Sequence, residues 1–97
     1  MTATTYTVET AAAEAIEILK QWKSVRDEYL AARHGDMESY FRSFDIEERM
    51  NELGAKAKKL MVEEIFADTN EYDVMDWMYA EYDALMSDLA DIARGDY

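Results

Sequence analysis

The chain has 97 residues, enough for one domain with a modest core but too few for a deep, enclosed active site. It contains no cysteine, which excludes disulfides and thiolate zinc sites, and no apolar run of about 18 residues, so a cytoplasmic protein without membrane contact is expected. Its 22 acidic and 10 basic residues give a net charge of −12, which disfavours direct binding to nucleic acid or anionic lipid.

The first predicted helix extends over Val8–Arg33. Thr7 can act as its N-cap, because a threonine hydroxyl accepts a hydrogen bond from the first turn. Apolar residues then recur at steps of three and four positions, as a helix with one buried face requires. This stripe consists of Ala15, Ile18, Trp22, Val25, Tyr29 and Ala32. Gly35 is predicted to end the helix, because glycine adopts the left-handed conformation of a C-terminal cap most easily.

Two further helices are predicted in the middle of the chain. Asp36 caps a short one over Met37–Arg42, and Asp45 begins a longer one with capping-box spacing. The longer helix continues to about Ala67, and Gly54 inside it indicates a close helix crossing or a bend. Its apolar stripe is formed by Ile46, Met50, Leu53, Ala57, Leu60, Met61 and Ile65.

The last predicted helix covers Glu71–Arg94, with Asn70 as its N-cap. Its apolar side is formed by Val74, Met75, Met78, Tyr82, Leu85, Met86, Leu89 and Ile92. No segment shows a strand pattern. The predicted fold class is therefore all-α, a small helical bundle of three long helices and one short helix in a single domain over residues 1–97.

Acidic residues are concentrated on the other side of this last helix. From Leu60 onward the chain has eleven acids and one base, a net charge of −10, whereas the first 59 residues carry −2. The acidic face consists of Asp73, Asp76, Glu81, Asp83, Asp88 and Asp91. Carboxylates three or four positions apart lie about 5–6 Å from each other, which resembles the phosphate spacing of a DNA strand. Such a face is often only solvated, but repulsion that no lysine relieves favours a binding role.

Trp77 lies near the centre of the acidic face. A tryptophan on a polar face is unfavourable unless a partner covers it, and tryptophan often dominates binding surfaces. The alternative is that its ring folds onto the preceding loop or the short aromatic helix. Tyr72, Tyr79 and Tyr97 can add contact area. Trp77 and the six acids together are the predicted partner-binding site.

No catalytic or metal site is predicted. His34 directly follows a helix, where capping or exposure is the expected role. The segment from Asp68 begins like a calcium loop, but Asp73 replaces the required glycine and Tyr79 the final glutamate. The sequence has neither a glycine-rich phosphate loop nor a nucleophile-and-base pattern. It therefore predicts a protein that is not an enzyme and needs no cofactor.

The segment NEYDVMDWMYAEYD, residues 70–83, resembles in its acidic and aromatic character the small helical proteins that phages use against host defence. These are the anti-CRISPR proteins and antirestriction DNA mimics. The resemblance rests on character, length and charge, and it implies steric and electrostatic occupation without catalysis. The implied partner is the basic groove of a nucleic-acid-binding protein or complex in the cytoplasm of a bacterial host, whose access to DNA or RNA is blocked.

Two other functions stay open. One is a structural helical-bundle subunit that pairs its apolar stripes in a weak homodimer, with the charge serving only solubility. The other is an immunity protein that neutralises a basic nuclease toxin. Helical immunity proteins carry a tyrosine pair in a short aromatic segment, which Tyr40–Phe41 matches only in part. Salt sensitivity of partner binding separates mimicry from a hydrophobic dimer.

Overall fold

The computed structural model describes residues 7–96 and shows an all-α protein. Its α-helices are α1 (Val8–Arg33), α2 (Met37–Leu60), α3 (Glu71–Ala80) and α4 (Tyr82–Ala93). A π-helical turn, Met61–Ile65, follows α2 directly. No strand occurs among the described residues. The predicted fold class is confirmed, although the boundaries of several helices differ from the prediction.

The bounds of α1 agree with the prediction, and its N-cap is confirmed. The Thr7 hydroxyl accepts a hydrogen bond from the backbone N–H of Thr10 at 3.2 Å. The helix ends with hydrogen bonds from His34 to Leu30 and from Gly35 to Ala32. The left-handed cap predicted at Gly35 is wrong, because Gly35 has no positive φ. Instead, the hydrogen bond from the Gly35 N–H to the Ala32 carbonyl, three residues earlier, tightens the last turn. It satisfies one of the terminal carbonyls without a left-handed residue.

α2 is one continuous helix where two helices were predicted. The cap at Asp36 is confirmed, since its carboxylate accepts the backbone N–H of Ser39 at 2.8 Å. Asp45 lies inside the helix and caps nothing. Neither glycine nor proline separates the two predicted segments, so continuing the helix keeps backbone hydrogen bonds that a break would forfeit. Ser43 lies fully buried at this point, and its hydroxyl donates to the Tyr40 carbonyl.

The regular α-helix ends at Leu60, earlier than the predicted end near Ala67. From Met61 the backbone widens into the π-helical turn, which closes with a 2.6 Å hydrogen bond from the Phe66 N–H to the Met61 carbonyl. The Met61 side chain is completely buried. α3 packs against both this turn and α4.

The described residues form two compact units. One consists of residues 18–57, and the other joins residues 7–17 to residues 58–96. The buried apolar side chains of the first are Ile18, Leu19, Trp22, Ala32, Ile46, Met50 and Ala57; those of the second are Ala11, Ala12, Ala15, Met61, Val74, Met78, Leu85 and Leu89. The single domain over residues 1–97 stays a prediction.

Charge is divided between these units very unequally. Residues 18–57 contain eight acids and seven bases, a net charge of −1. The other unit, taken over the whole chain as residues 1–17 and 58–97, contains 14 acids and three bases, a net charge of −11. Nearly all of the excess negative charge therefore belongs to the unit that contains α3 and α4.

Candidate partner-binding surface

Five of the six predicted binding carboxylates are exposed on α3, on α4 and at the residue between them. These are Asp73, Asp76, Glu81, Asp83 and Asp88. Within residues 7–96, none of the five forms a salt bridge. A carboxylate that lacks an internal cation keeps its charge available for a partner. We refer to these five residues as the acidic surface.

The sixth predicted carboxylate, Asp91, is already paired inside the protein. Arg94 forms salt bridges with Asp91 and with Asp96, the latter with 3.2 Å between Arg94 Nε and Asp96 Oδ2. The hydrogen bond to Asp96 is the main reason why the pKa of Arg94 lies above its ordinary value, and the nearby charge of Asp91 raises it further. Arg94 is the one base in the last 38 residues, so its pairing leaves the acidic surface without a neutralising neighbour from that segment.

The acidic surface is divided between two helices, whereas a single helix over Glu71–Arg94 was predicted. The break is at Glu81, whose backbone has φ −133° and ψ 41°. Its N–H donates to the Trp77 carbonyl, and its own carbonyl accepts the N–H of Leu85 at 2.9 Å. Both backbone groups of Glu81 thus keep a hydrogen-bond partner at the interruption, one in each helix.

The start of α3 agrees with the prediction. The Asn70 side chain accepts a hydrogen bond from the backbone N–H of Asp73 at 2.9 Å. Because Asp73 and Asp83 lie in the first turns of α3 and α4, their charges interact favourably with the two helix dipoles. Asp76 and Asp88 lie further along the two helices, outside these first turns, and lack this compensation.

Trp77 is half-buried instead of stranded on the polar face. Its ring meets the ring of Phe66 edge to face, with ring centroids 5.5 Å apart and an angle of 81° between the planes. Phe66 directly follows the π-helical turn. Trp77 therefore packs partly onto the segment before α3, which was the alternative to a binding role. The rest of its ring stays accessible.

A cavity of about 250 Å³ opens beside the Trp77 ring. Its lining residues are Phe66, Trp77, Glu81, Ala84, Leu85 and Asp88. Two aromatic rings and two apolar side chains thus surround a space that also contains two carboxylates. An elongated aliphatic chain with a cationic end matches this combination, because the carboxylates and the indole face both attract a cation.

The predicted binding residues are only partly brought together. Glu81 and Asp88 both line the cavity beside Trp77. A second cavity, of about 280 Å³, is lined by Asp88 and Asp91. Asp73, Asp76 and Asp83 line neither cavity. Of the additional tyrosines, Tyr72 and Tyr79 are exposed, and Tyr97 lies outside the described residues.

Phe66 is the residue of this surface that the sequence analysis missed. It lines both cavities and contacts Trp77. It follows Ile65, the last residue of the predicted apolar stripe, and does not belong to that stripe, so periodicity gave no signal for it. An aromatic residue two positions before the Asp68–Asn70 break was the available clue.

In the described part of the chain, no three histidine, aspartate or glutamate side chains are grouped so that they could hold a metal ion. Among the same residues, no helix has the length and apolar character needed to span a bilayer. Comparison with known proteins gives no family: no protein-family model, curated protein sequence or solved structure matches the chain.

Proposed function

We propose that the protein is a small acidic inhibitor that binds the basic nucleic-acid-binding surface of a host defence complex and blocks access of DNA or RNA. The observation that carries this proposal is the acidic surface, five exposed carboxylates without a salt bridge on two consecutive helices and the residue between them. The mechanism is occupation of the groove, as in anti-CRISPR and antirestriction DNA mimics. The proposed place of action is the cytoplasm of a bacterial host.

The charge distribution supports a basic protein partner. The unit that contains the acidic surface has a net charge of −11. A field of that sign repels phosphates and accelerates the approach of a groove lined with lysine and arginine. Direct binding to nucleic acid is therefore not part of the proposal, and association with the partner should weaken as salt is added.

The cavity beside Trp77 offers a site for one specific side chain of the partner, in addition to the long-range attraction between opposite charges. A lysine or arginine side chain of the partner fits it, with its aliphatic stem along Ala84 and Leu85. The cationic end would then reach Glu81 and Asp88 and lie against an aromatic wall. A groove that binds nucleic acid provides such side chains, because it must contact phosphates.

The proposal can be tested by DNA-binding assays on purified bacterial defence complexes, namely CRISPR effector complexes and restriction enzymes. Gel shifts are measured as the protein is titrated in at low and high salt. We expect at least one complex to lose its DNA as the acidic protein binds, with the inhibition weakened by salt. The protein alone should not shift DNA.

Two pairs of charge-reversal variants test whether inhibition depends on where the negative charge lies or only on the net charge of the protein. Asp76→Lys combined with Asp88→Lys reverses two acids of the acidic surface, and Glu38→Lys combined with Glu48→Lys reverses two exposed acids of α2. Either pair changes the net charge from −12 to −8. Inhibition should be lost only with the first pair. Equal inhibition by both pairs, or a direct DNA shift by the protein, would contradict the proposal.

A further inference from the structure

The cavity beside Trp77 has apolar walls that can hold a short carbon chain. The rings of Phe66 and Trp77, with an angle of 81° between their planes, form an aromatic corner. Ala84 and Leu85 add aliphatic surface from α4. A water molecule takes up about 30 Å³ in the liquid, so about 250 Å³ gives room for roughly eight non-hydrogen atoms. The cavity can therefore contain a small aliphatic molecule.

The charged part of the lining is entirely negative. Glu81 and Asp88 both line the cavity, and neither forms a salt bridge among residues 7–96. Within four positions of any lining residue, the sequence contains nine acids and no base. The three bases of this unit, Lys58, Lys59 and Arg94, do not line the cavity. Every charged group of the lining therefore attracts a cation.

The negative charge becomes selective only together with the apolar walls. Asp73, Asp76 and Asp83 are exposed acids as well, but they do not line this cavity. Inside it, an indole face attracts a cation electrostatically. Carbon atoms next to that cation are removed from water by the apolar side chains, which is favourable. The combination favours an organic ammonium ion over a hydrated metal ion, which has no apolar part.

Two carboxylates in one lining favour a ligand with two ammonium groups. Glu81 directly precedes α4 and Asp88 lies seven positions later, a helix rise of about 10 Å. A ligand with one positive charge leaves one of the two negative charges uncompensated, whereas a diamine compensates both. Room for roughly eight non-hydrogen atoms allows two nitrogens and up to about six carbons.

We propose that the cavity beside Trp77 binds a linear aliphatic diamine. Its carbon chain lies against Trp77, Ala84 and Leu85. Its two ammonium groups, which are protonated at neutral pH as the lysine side chain is, pair with Glu81 and Asp88. The function proposed above puts a side chain of a partner protein in the same cavity. A free diamine is a different ligand, and its binding does not depend on the existence of that partner.

Isothermal titration calorimetry of the full chain with 1,5-diaminopentane, in about 150 mM NaCl to screen diffuse attraction, tests this proposal. We expect saturable binding of one diamine per chain. Pentylamine has the same number of carbons but one ammonium group, and Mg²⁺ has the same charge but no carbon chain. Each should bind at least about tenfold more weakly than the diamine.

Three variants locate the ligand. Asp88→Asn should weaken diamine binding at least about tenfold. Asp76→Asn changes the net charge equally, from −12 to −11, at an exposed acid outside the cavity, and its affinity should stay within about twofold of wild type. Ala84→Leu fills the cavity without a change of charge and should abolish binding. Because Ala84 is exposed, the helical circular dichroism of that variant should stay intact.

Four results would overturn the proposal. One is the absence of saturable binding up to about 10 mM diamine. Another is equal affinity for the diamine and for Mg²⁺ or pentylamine, which would mean that the carbon chain or the second ammonium group makes no contact. An equal loss in Asp88→Asn and Asp76→Asn would show that only net charge matters. Unchanged binding by Ala84→Leu would place the ligand outside the cavity.

Discussion

Trp77 meets Phe66 edge to face across the break between the π-helical turn and α3, with ring centroids 5.5 Å apart. The contact gives Trp77 two roles at once. One side of its ring stabilises the unit, and the other borders the cavity that also contains Glu81 and Asp88. A loss of partner binding after truncation of Trp77 therefore has to be separated from a loss of stability.

The contribution of the contact between Trp77 and Phe66 to stability can be measured by a double-mutant cycle. Trp77→Ala and Phe66→Ala should each lower the free energy of unfolding by about 1–3 kcal/mol, less than for fully buried aromatics because both rings are half-buried. The double variant should lose less than the sum, with a coupling of about 0.5–1.5 kcal/mol from the edge-to-face contact. Urea denaturation gives all four free energies.

Tyr72→Ala is the control for this cycle, because the Tyr72 ring is largely exposed and should contribute no more than about 0.5 kcal/mol. If the two truncations turn out to be additive, the rings do not interact in solution. The Trp77 side chain would then be free to serve a partner alone, as its position on the predicted polar face suggested.

The starts of α1, α2 and α3 could be predicted because a cap is a local feature. Thr7, Asp36 and Asn70 each accept the backbone N–H of the residue three positions later, and the sequence alone contains both members of each pair. The junctions could not be predicted in the same way. Asp45 has capping-box spacing but lies inside α2, because such a motif shows where a helix can begin and not whether the preceding helix has ended.

The acidic surface was predictable in composition but not in arrangement. Periodicity places the five carboxylates away from the apolar stripe, and all five are exposed. The break at Glu81 and the contact of Phe66 with Trp77 are features of backbone geometry and packing that helical periodicity does not encode. The partner-binding role of these residues stays a prediction.

Charge reversal at two exposed aspartates should change stability in opposite directions. Asp76 lies three residues after Asp73, so Asp76→Lys removes a like-charge pair and should stabilise the protein by about 0.2–0.5 kcal/mol at low salt. Asp83 lies in the first turn of α4, where a negative charge is favourable, so Asp83→Lys should destabilise it by about 0.3–1 kcal/mol.

Urea denaturation at low salt and at about 1 M NaCl checks this difference, since a Debye length of about 3 Å at the higher concentration screens both effects. Both variants should then approach the wild-type stability. If instead the two variants are equally stable at low salt, total charge governs stability and the position within the helix is unimportant.

The cap at Asp36 should make part of the stability depend on pH. The hydrogen bond from the Ser39 N–H, with a smaller contribution from the Ser39 hydroxyl, lowers the pKa of the Asp36 carboxyl below its ordinary value. The folded state thus prefers the ionised form. The resulting stability is complete above the unfolded pKa of about 3.9 and is lost as the pH falls through the lower folded pKa.

We therefore expect Asp36→Ala to lower the urea midpoint at pH 7 and the difference from wild type to shrink below about pH 4. Asp36→Asn keeps a capping side chain without a titrating group, so it separates the loss of the cap from the loss of the charge. A difference between wild type and Asp36→Ala that is as large at pH 3 as at pH 7 would show that the ionised carboxylate is not the relevant form.

The end of α4 depends on glycine in a way that the end of α1 does not. Gly95 has φ +81°, and the backbone N–H groups of Gly95 and Asp96 donate to the carbonyls of Ile92 and Asp91 at 3.0 and 2.8 Å. This pair of bonds is the Schellman arrangement, in which a left-handed residue satisfies the last carbonyls of a helix.

Gly95→Ala should lower the free energy of unfolding by about 1–2 kcal/mol, because a β-carbon disfavours the left-handed conformation and not because of a clash. An added Cβ would have no neighbour within 4 Å. Gly95→Asn should cost less than Gly95→Ala, since asparagine tolerates this region of backbone space. Urea denaturation of the two variants gives the comparison. If alanine and asparagine are tolerated equally, the left-handed turn is not maintained in solution, and the pairing of Arg94 with Asp96 should then be lost as well.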